Sequence, residues 1–139
     1  MKHNVSLTIT SLLSILFTTF HITDDIVYKI SPGGLSNLTV VVFLVVWLYA
    51  MLVLVEGRLG YVIVLLLSLL ASAVPILHMK GSSGITAGIS NPGAAFFFAW
   101  TILALEVTAV FSAILSVRGL WSLRRGQAAA SSRPLTSPG

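Results

Sequence analysis

The sequence predicts an all-α membrane protein, a four-transmembrane-helix bundle of up-down-up-down topology. Three observations point there. Of 139 residues, 56% are hydrophobic and 9% charged, against roughly 25% charged in an ordinary soluble domain. Apolar runs cover residues 5–23, 38–55, 61–79 and 94–117, each close to the ~20 helical residues that cross about 30 Å of hydrocarbon. Between them lie Ser31-Pro32-Gly33-Gly34, Glu56-Gly57-Arg58-Leu59-Gly60 and the Gly/Ser-rich KGSSGITAGISNPG, which punctuate helices. Residues 1–125 form one domain in this reading. Residues 126–139 are small, polar and Pro-containing, a composition expected to give a disordered cytoplasmic tail.

The first span is the most informative. It begins with Lys2 and an apolar run, like a signal peptide, but no small-x-small cleavage site follows, so a retained span is expected. Ser11, Ser14, Thr18, His21 and Asp25 stand 3, 4, 3 and 4 residues apart. At about 3.6 residues per turn they share one helix face. The line ends at His21-Ile22-Thr23-Asp24-Asp25, groups that are costly near lipid and need partners. Thr23 to Ile30 either prolongs this helix or forms a short interfacial one.

The second span, LTVVVFLVVWLYAMLVLV, is apolar all round and reads as a lipid-facing wall, with Trp47 and Tyr49 placed for packing. The short turn at 56–60 makes the second and third spans antiparallel neighbours. Ser68 and Ser72 form a small-x-x-x-small pair that permits close helix approach. Pro75 and His78 follow near the end of that span. The fourth carries Ala95, Ala99, Ile102, Glu106, Ala109, Ala113 and Ser116, steps of 4 and 3 that mark a left-handed packing seam. Beyond it, Gly119-Leu120-Trp121-Ser122-Leu123-Arg124-Arg125 reads as an interfacial segment anchored by Trp and Arg.

Basic residues set the expected orientation. With both termini inside, Lys2, Arg58, Arg118, Arg124, Arg125 and Arg133 face the cytoplasm, leaving Lys29 and Lys80 outside. The net charge of +4 and pI near 10 therefore point to anionic lipid and not to nucleic acid. Cys is absent, which excludes disulfides, thiolate metal sites and a Cys nucleophile. No Gly-rich phosphate loop, Ser-His-Asp arrangement or HExxH occurs; a His with an Asp could still act as a general base, but no nucleophile or substrate pocket can be named, and the expectation leans away from an enzyme.

Two polar levels follow. At the outer one, His21, Asp24, Asp25 and His78 offer an N/O ligand set for a divalent metal such as Zn, Fe, Mn or Cu. A b-type haem between His21 and His78 is a second use of the histidines. The plainer alternative pairs the carboxylates with Lys29 or Lys80, with Asp24 or Asp25 capping a following helix. Glu106 lies deeper, 12 residues past Ala94 or about 18 Å. Ser11 and Ser14 reach the same depth from Thr23, so a hydrogen bond from either to Glu106 is expected. A mid-bilayer carboxyl is expensive; Glu106 either carries protons in a transporter or channel, or serves as hydrogen-bonded helix glue.

TTFHITDDIVYKISPGGLSNL, with PILHMKG further on, resembles small four-span bacterial membrane proteins of no settled activity. The resemblance covers about residues 5–125 and carries over no catalytic residue. Small multidrug exporters are similar in size, with four short helices and one membrane-embedded Glu, but theirs lies in the first helix and no motif of theirs matches. The expectation is a small subunit or accessory protein in the cytoplasmic membrane, contacting lipid and a larger membrane complex or further copies of itself. The alternatives are a proton- or cation-coupled transporter using Glu106 and a haem-bearing electron-transfer subunit.

Overall fold

Helices account for almost all of the described residues: α1 Lys2–Val27, α2 Val40–Leu52, α3 Arg58–Ser72, α4 Val74–Met79 and α5 Pro92–Ser131. The structure, a computed structural model, describes residues 2–28, 39–54, 57–79 and 89–131, with side chains over 5–28, 39–54, 57–76 and 89–126. No strand occurs among the described residues. Val5–Val27, Arg58–Ile76 and Pro92–Gly126 are long and apolar enough to cross a membrane, and Val40–Leu52 is a shorter apolar helix. The chain is thus built as a multi-pass membrane protein.

The element boundaries follow local chemistry, and several differ from expectation. Helix α1 runs on to Val27, and the Tyr28 N–H donates to the Asp24 carbonyl at 2.8 Å. Nothing in HITDDIV breaks a helix, so Asp24 and Asp25 lie inside α1 and neither caps a later one. Helix α2 has 13 residues, about 20 Å at 1.5 Å per residue, and is shorter than the 38–55 run. It gives way at Val53 and Leu54, and the Gly57 N–H closes the turn on the Leu54 carbonyl at 2.9 Å.

The third apolar run is divided. Pro75 lacks the N–H that would meet the Ala71 carbonyl, and its ring crowds the preceding turn. Helix α3 accordingly ends at Ser72, the Ala73 N–H tightens onto Leu70 O at 3.2 Å, and α4 restarts at Val74. Helix α5 opens on Pro92, with Asn91 Oδ1 accepting from the N–H groups of Gly93 at 2.9 Å and Ala94 at 3.2 Å. That is a sound N-terminus: an Asn cap followed by Pro at the first helical position. Its 40 residues extend about 60 Å, so residues 118–125 continue the same helix beyond the 94–117 run. Residues 126–131, expected to be disordered, are helical as well; 132–139 lie outside the described residues.

Helix α5 is the spine. Helices α1 and α3 both lie along it, while α2 rests mainly on α3 and α1. The pairs Ser11–Ser112 and His21–Phe98 run α1 antiparallel to α5. Between α1, α2, α3 and α5 sits an apolar core of Leu7, Trp47, Met51, Tyr61, Val64, Leu67 and Leu105. Trp47 packs inward as expected, whereas Tyr49 is exposed. Leu, Val and Phe side chains cover the outside, Val42, Leu52, Leu66, Phe96 and Leu103 among them. A surface of this kind is at home in lipid.

The buried line of α5 is Phe98, Ile102, Leu105, Ala109, Ser112, Ser116 and Gly119, with Leu123 packed on the core. Its steps are 4 and 3, as expected, but its frame is not the expected one. Ile102, Ala109 and Ser116 belong to both frames. Ala99, Glu106 and Ala113 give way to Phe98, Leu105 and Ser112. One residue is about 100° of rotation, enough to bring the bulky side chains inside and move Glu106 to the edge.

Candidate functional site

The polar line of α1 faces inward along its whole length. Ser11 and Ser14 are fully buried, and Thr18, His21 and Asp25 are buried too. Their spacing puts them inside the bundle, Ser11 and His21 against α5 and Thr18 toward α2 and α3, where they escape the lipid-facing surface. Most hydroxyls turn back on their own helix: Ser14 Oγ donates to Thr10 O at 2.9 Å and Thr18 Oγ1 to Ser14 O at 2.7 Å. On α5, Thr101 Oγ1 donates to Phe98 O at 2.9 Å and Ser116 Oγ to Ser112 O at 2.8 Å. Across the seam, Ser11 Oγ donates to Ser112 Oγ at 3.3 Å. Hydroxyls satisfied in this way are compact spacers that let backbones approach.

At the far end of the line, the His21 ring lies 5.1 Å from Phe98, tilted by 39°. Phe20 and Phe97 make a second ring pair at 6.2 Å. Asp25, one turn beyond His21, shares its buried face. Asp24 stands about 100° around the helix and is half-buried; its Oδ2 has no hydrogen-bond partner among the described residues. His78 belongs to α4, but its side chain lies outside the described residues. No group of three or more His, Asp or Glu that could hold a metal forms among the described residues.

Glu106 departs from the expected hydrogen bond. Ser11 bonds to Ser112 and Ser14 to its own backbone. With Ser11 opposite Ser112, Glu106 stands six residues nearer the start of α5, about 9 Å from the anticipated level. It is half-buried at the seam's edge, and its Oε2 has no hydrogen-bond partner among the described residues. Tyr61 meets α5 at Gly119.

The Gly119–Tyr61 contact and Ser112 were missed in the sequence. A Cβ on Gly119 would fall on the Tyr61 ring, so only glycine permits this approach. Both residues could have been found by preferring the 4/3 frame that continues through Gly119 and Leu123. Ser68 is fully buried and Ser72 half-buried, as a small-residue contact requires. Comparison with protein-family models, with curated proteins and with solved structures returns no match for this chain.

Proposed function

We propose that this chain is a small integral membrane subunit or accessory protein of a bacterial cytoplasmic membrane, and not an enzyme. In this reading it forms a four-crossing up-down-up-down bundle with α2 as its short crossing and both termini cytoplasmic. One observation carries the proposal: every member of the α1 polar line is buried on the inside of the bundle, while large apolar side chains face out. Polar chemistry thus serves assembly within the chain and leaves an apolar exterior for lipid and for other membrane helices. Affinity purification from native membranes in mild detergent tests this. A stoichiometric partner or a defined homo-oligomer is expected; a lone monodisperse monomer overturns it. Since the chain has no Cys, single cysteines placed in each connection report sidedness directly.

A narrower form of the proposal gives His21, Asp24, Asp25 and His78 a divalent metal ion, or His21 and His78 a b-type haem. Elemental analysis and an optical spectrum of gently solubilised protein decide it. Stoichiometric metal or a Soret band supports that form, and neither leaves the purely structural role.

A second reading is proton-coupled transport through Glu106. It is favoured by a carboxyl oxygen buried within a span without a hydrogen-bond partner among the described residues, since intramembrane ionisable groups commonly mark proton pathways. Glu106→Gln should abolish proton-driven uptake in proteoliposomes while leaving the fold intact; undiminished uptake ends this reading.

A further inference from the structure

Near the C-terminal end of α5, the apolar helix turns cationic while still packed on α3. Arg118, Trp121, Ser122 and Arg125 stand at i, i+3, i+4 and i+7 and line a groove of about 280 Å³. The guanidinium of Arg125 lies over the Trp121 ring, 4.2 Å from its centroid, a cation–π contact that holds the indole in place. On the other side of Trp121 a second groove, about 310 Å³, is lined by Leu65 of α3 and by Val117, Leu120, Trp121 and Arg124 of α5. One indole therefore separates an arginine-lined groove from a predominantly apolar one.

We infer that these two grooves together bind one anionic phospholipid. Its phosphate would lie between Arg118 and Arg125, beside a Ser122 hydroxyl that already donates to the Gly119 carbonyl at 2.9 Å, and an acyl chain would follow Leu65, Val117 and Leu120. The inference rests on the membrane reading and goes further, from general lipid contact to a built site. Three points carry it. Arginine presents a planar fork of donors that matches phosphate oxygens, which a single point charge does not. Arginine predominates here: residues 57–72 of α3 and 107–126 of α5 contain Arg58, Arg118, Arg124 and Arg125 and no carboxylate, Glu56 being the nearest acid to Arg58 in sequence. The grooves also lie at the right level, where the apolar run gives way to Trp and Arg, the residues of the headgroup region. A zwitterionic lipid could fill the apolar groove, but it carries no net charge to answer this cationic end.

The test uses the full chain with Trp47 and Trp100 replaced by Phe, so that Trp121 alone reports. It is reconstituted into phosphatidylcholine vesicles containing equal fractions of either phosphatidylglycerol or phosphatidylcholine with brominated acyl chains. Quenching of Trp121 by the brominated phosphatidylglycerol should exceed that by its phosphatidylcholine counterpart several-fold. Arg118→Gln with Arg125→Gln should remove the excess at unchanged helicity by circular dichroism, and Arg58→Gln should leave it. Equal quenching by the two lipids overturns the site. So does an Arg58→Gln variant that loses the preference as completely, since that marks diffuse surface charge. Loss of the preference in added inorganic phosphate would also overturn it, as the mark of a bare anion site. A chain that fails to float with vesicles refutes the membrane reading itself, an outcome distinct from floating without preference.

Discussion

Against α1, helix α5 sets Ser112 beside Ser11 and Phe98 beside His21. Against α3, it sets a bare Gly119 under the face of Tyr61. The first contact is rich in polar groups, whereas the second relies on shape. Lipid chains are as apolar as leucine, so burying apolar side chains gives helices little reason to associate in a membrane. Helix α3 gains by fitting closely, which requires the missing Cβ of Gly119. Helix α1 gains by hiding Ser11, Ser14, His21 and Asp25, which are expensive against hydrocarbon. One helix is held by what it fits and the other by what it must conceal.

The hardest test of this contrast is Gly119→Val. Any side chain there collides with the Tyr61 ring, and overpacking of this kind costs about 1–3 kcal/mol, occasionally more. The purified variant should melt well below the parent in detergent and elute broadly. Adding Tyr61→Ala to the same chain should recover part of the loss. If Gly119→Val alone melts with the parent, close fit does not hold α3.

The α1 contact should answer to chemistry in another way. His21→Ala removes the ring against Phe98, a contact worth about 0.5–1.5 kcal/mol beyond simple burial, and should lower the melting temperature measurably. His21→Phe keeps a ring and should restore the part of the loss that comes from the Phe98 contact. Should only the native imidazole restore partner binding or metal content, the His21 nitrogens act beyond packing.

How far the sequence could be read depended on how unequal the alternatives were. On α1, one helical face holds His21, Asp25, Ser11 and Ser14, and the opposite rotation would give all of them to lipid; only one choice is tolerable. On α5 two 4/3 frames share Ile102, Ala109 and Ser116 and differ by one residue in between. Favouring small residues selected Ala99, Glu106 and Ala113. The bulk of Phe98 and Leu105 and the hydroxyl pairing of Ser112 with Ser11 select the other frame, and the Tyr61 contact that fixes it comes from a distant part of the chain. The break at Ala73 was legible in Pro75 alone, through its missing N–H. The side chain of His78 lies outside the described residues, and spacing says nothing about contacts between separate helices.

The smallest effect offers the sharpest measure of the α1 contact. Ser11 and Ser112 share one hydrogen bond at 3.3 Å, longer than the roughly 2.5–3.0 Å usual between hydroxyls. Interhelical hydrogen bonds of this type average about 0.6 kcal/mol in membranes. Ser11→Ala, Ser112→Ala and the double variant form a cycle in which the singles should each cost that little and the double hardly more than either. Strict additivity would mean the two hydroxyls do not feel each other, and concealment of small side chains would then hold α1 without this bond. Ser11→Leu should cost far more than Ser11→Ala, because at a fully buried position the size of the side chain governs how near α1 can lie to α5.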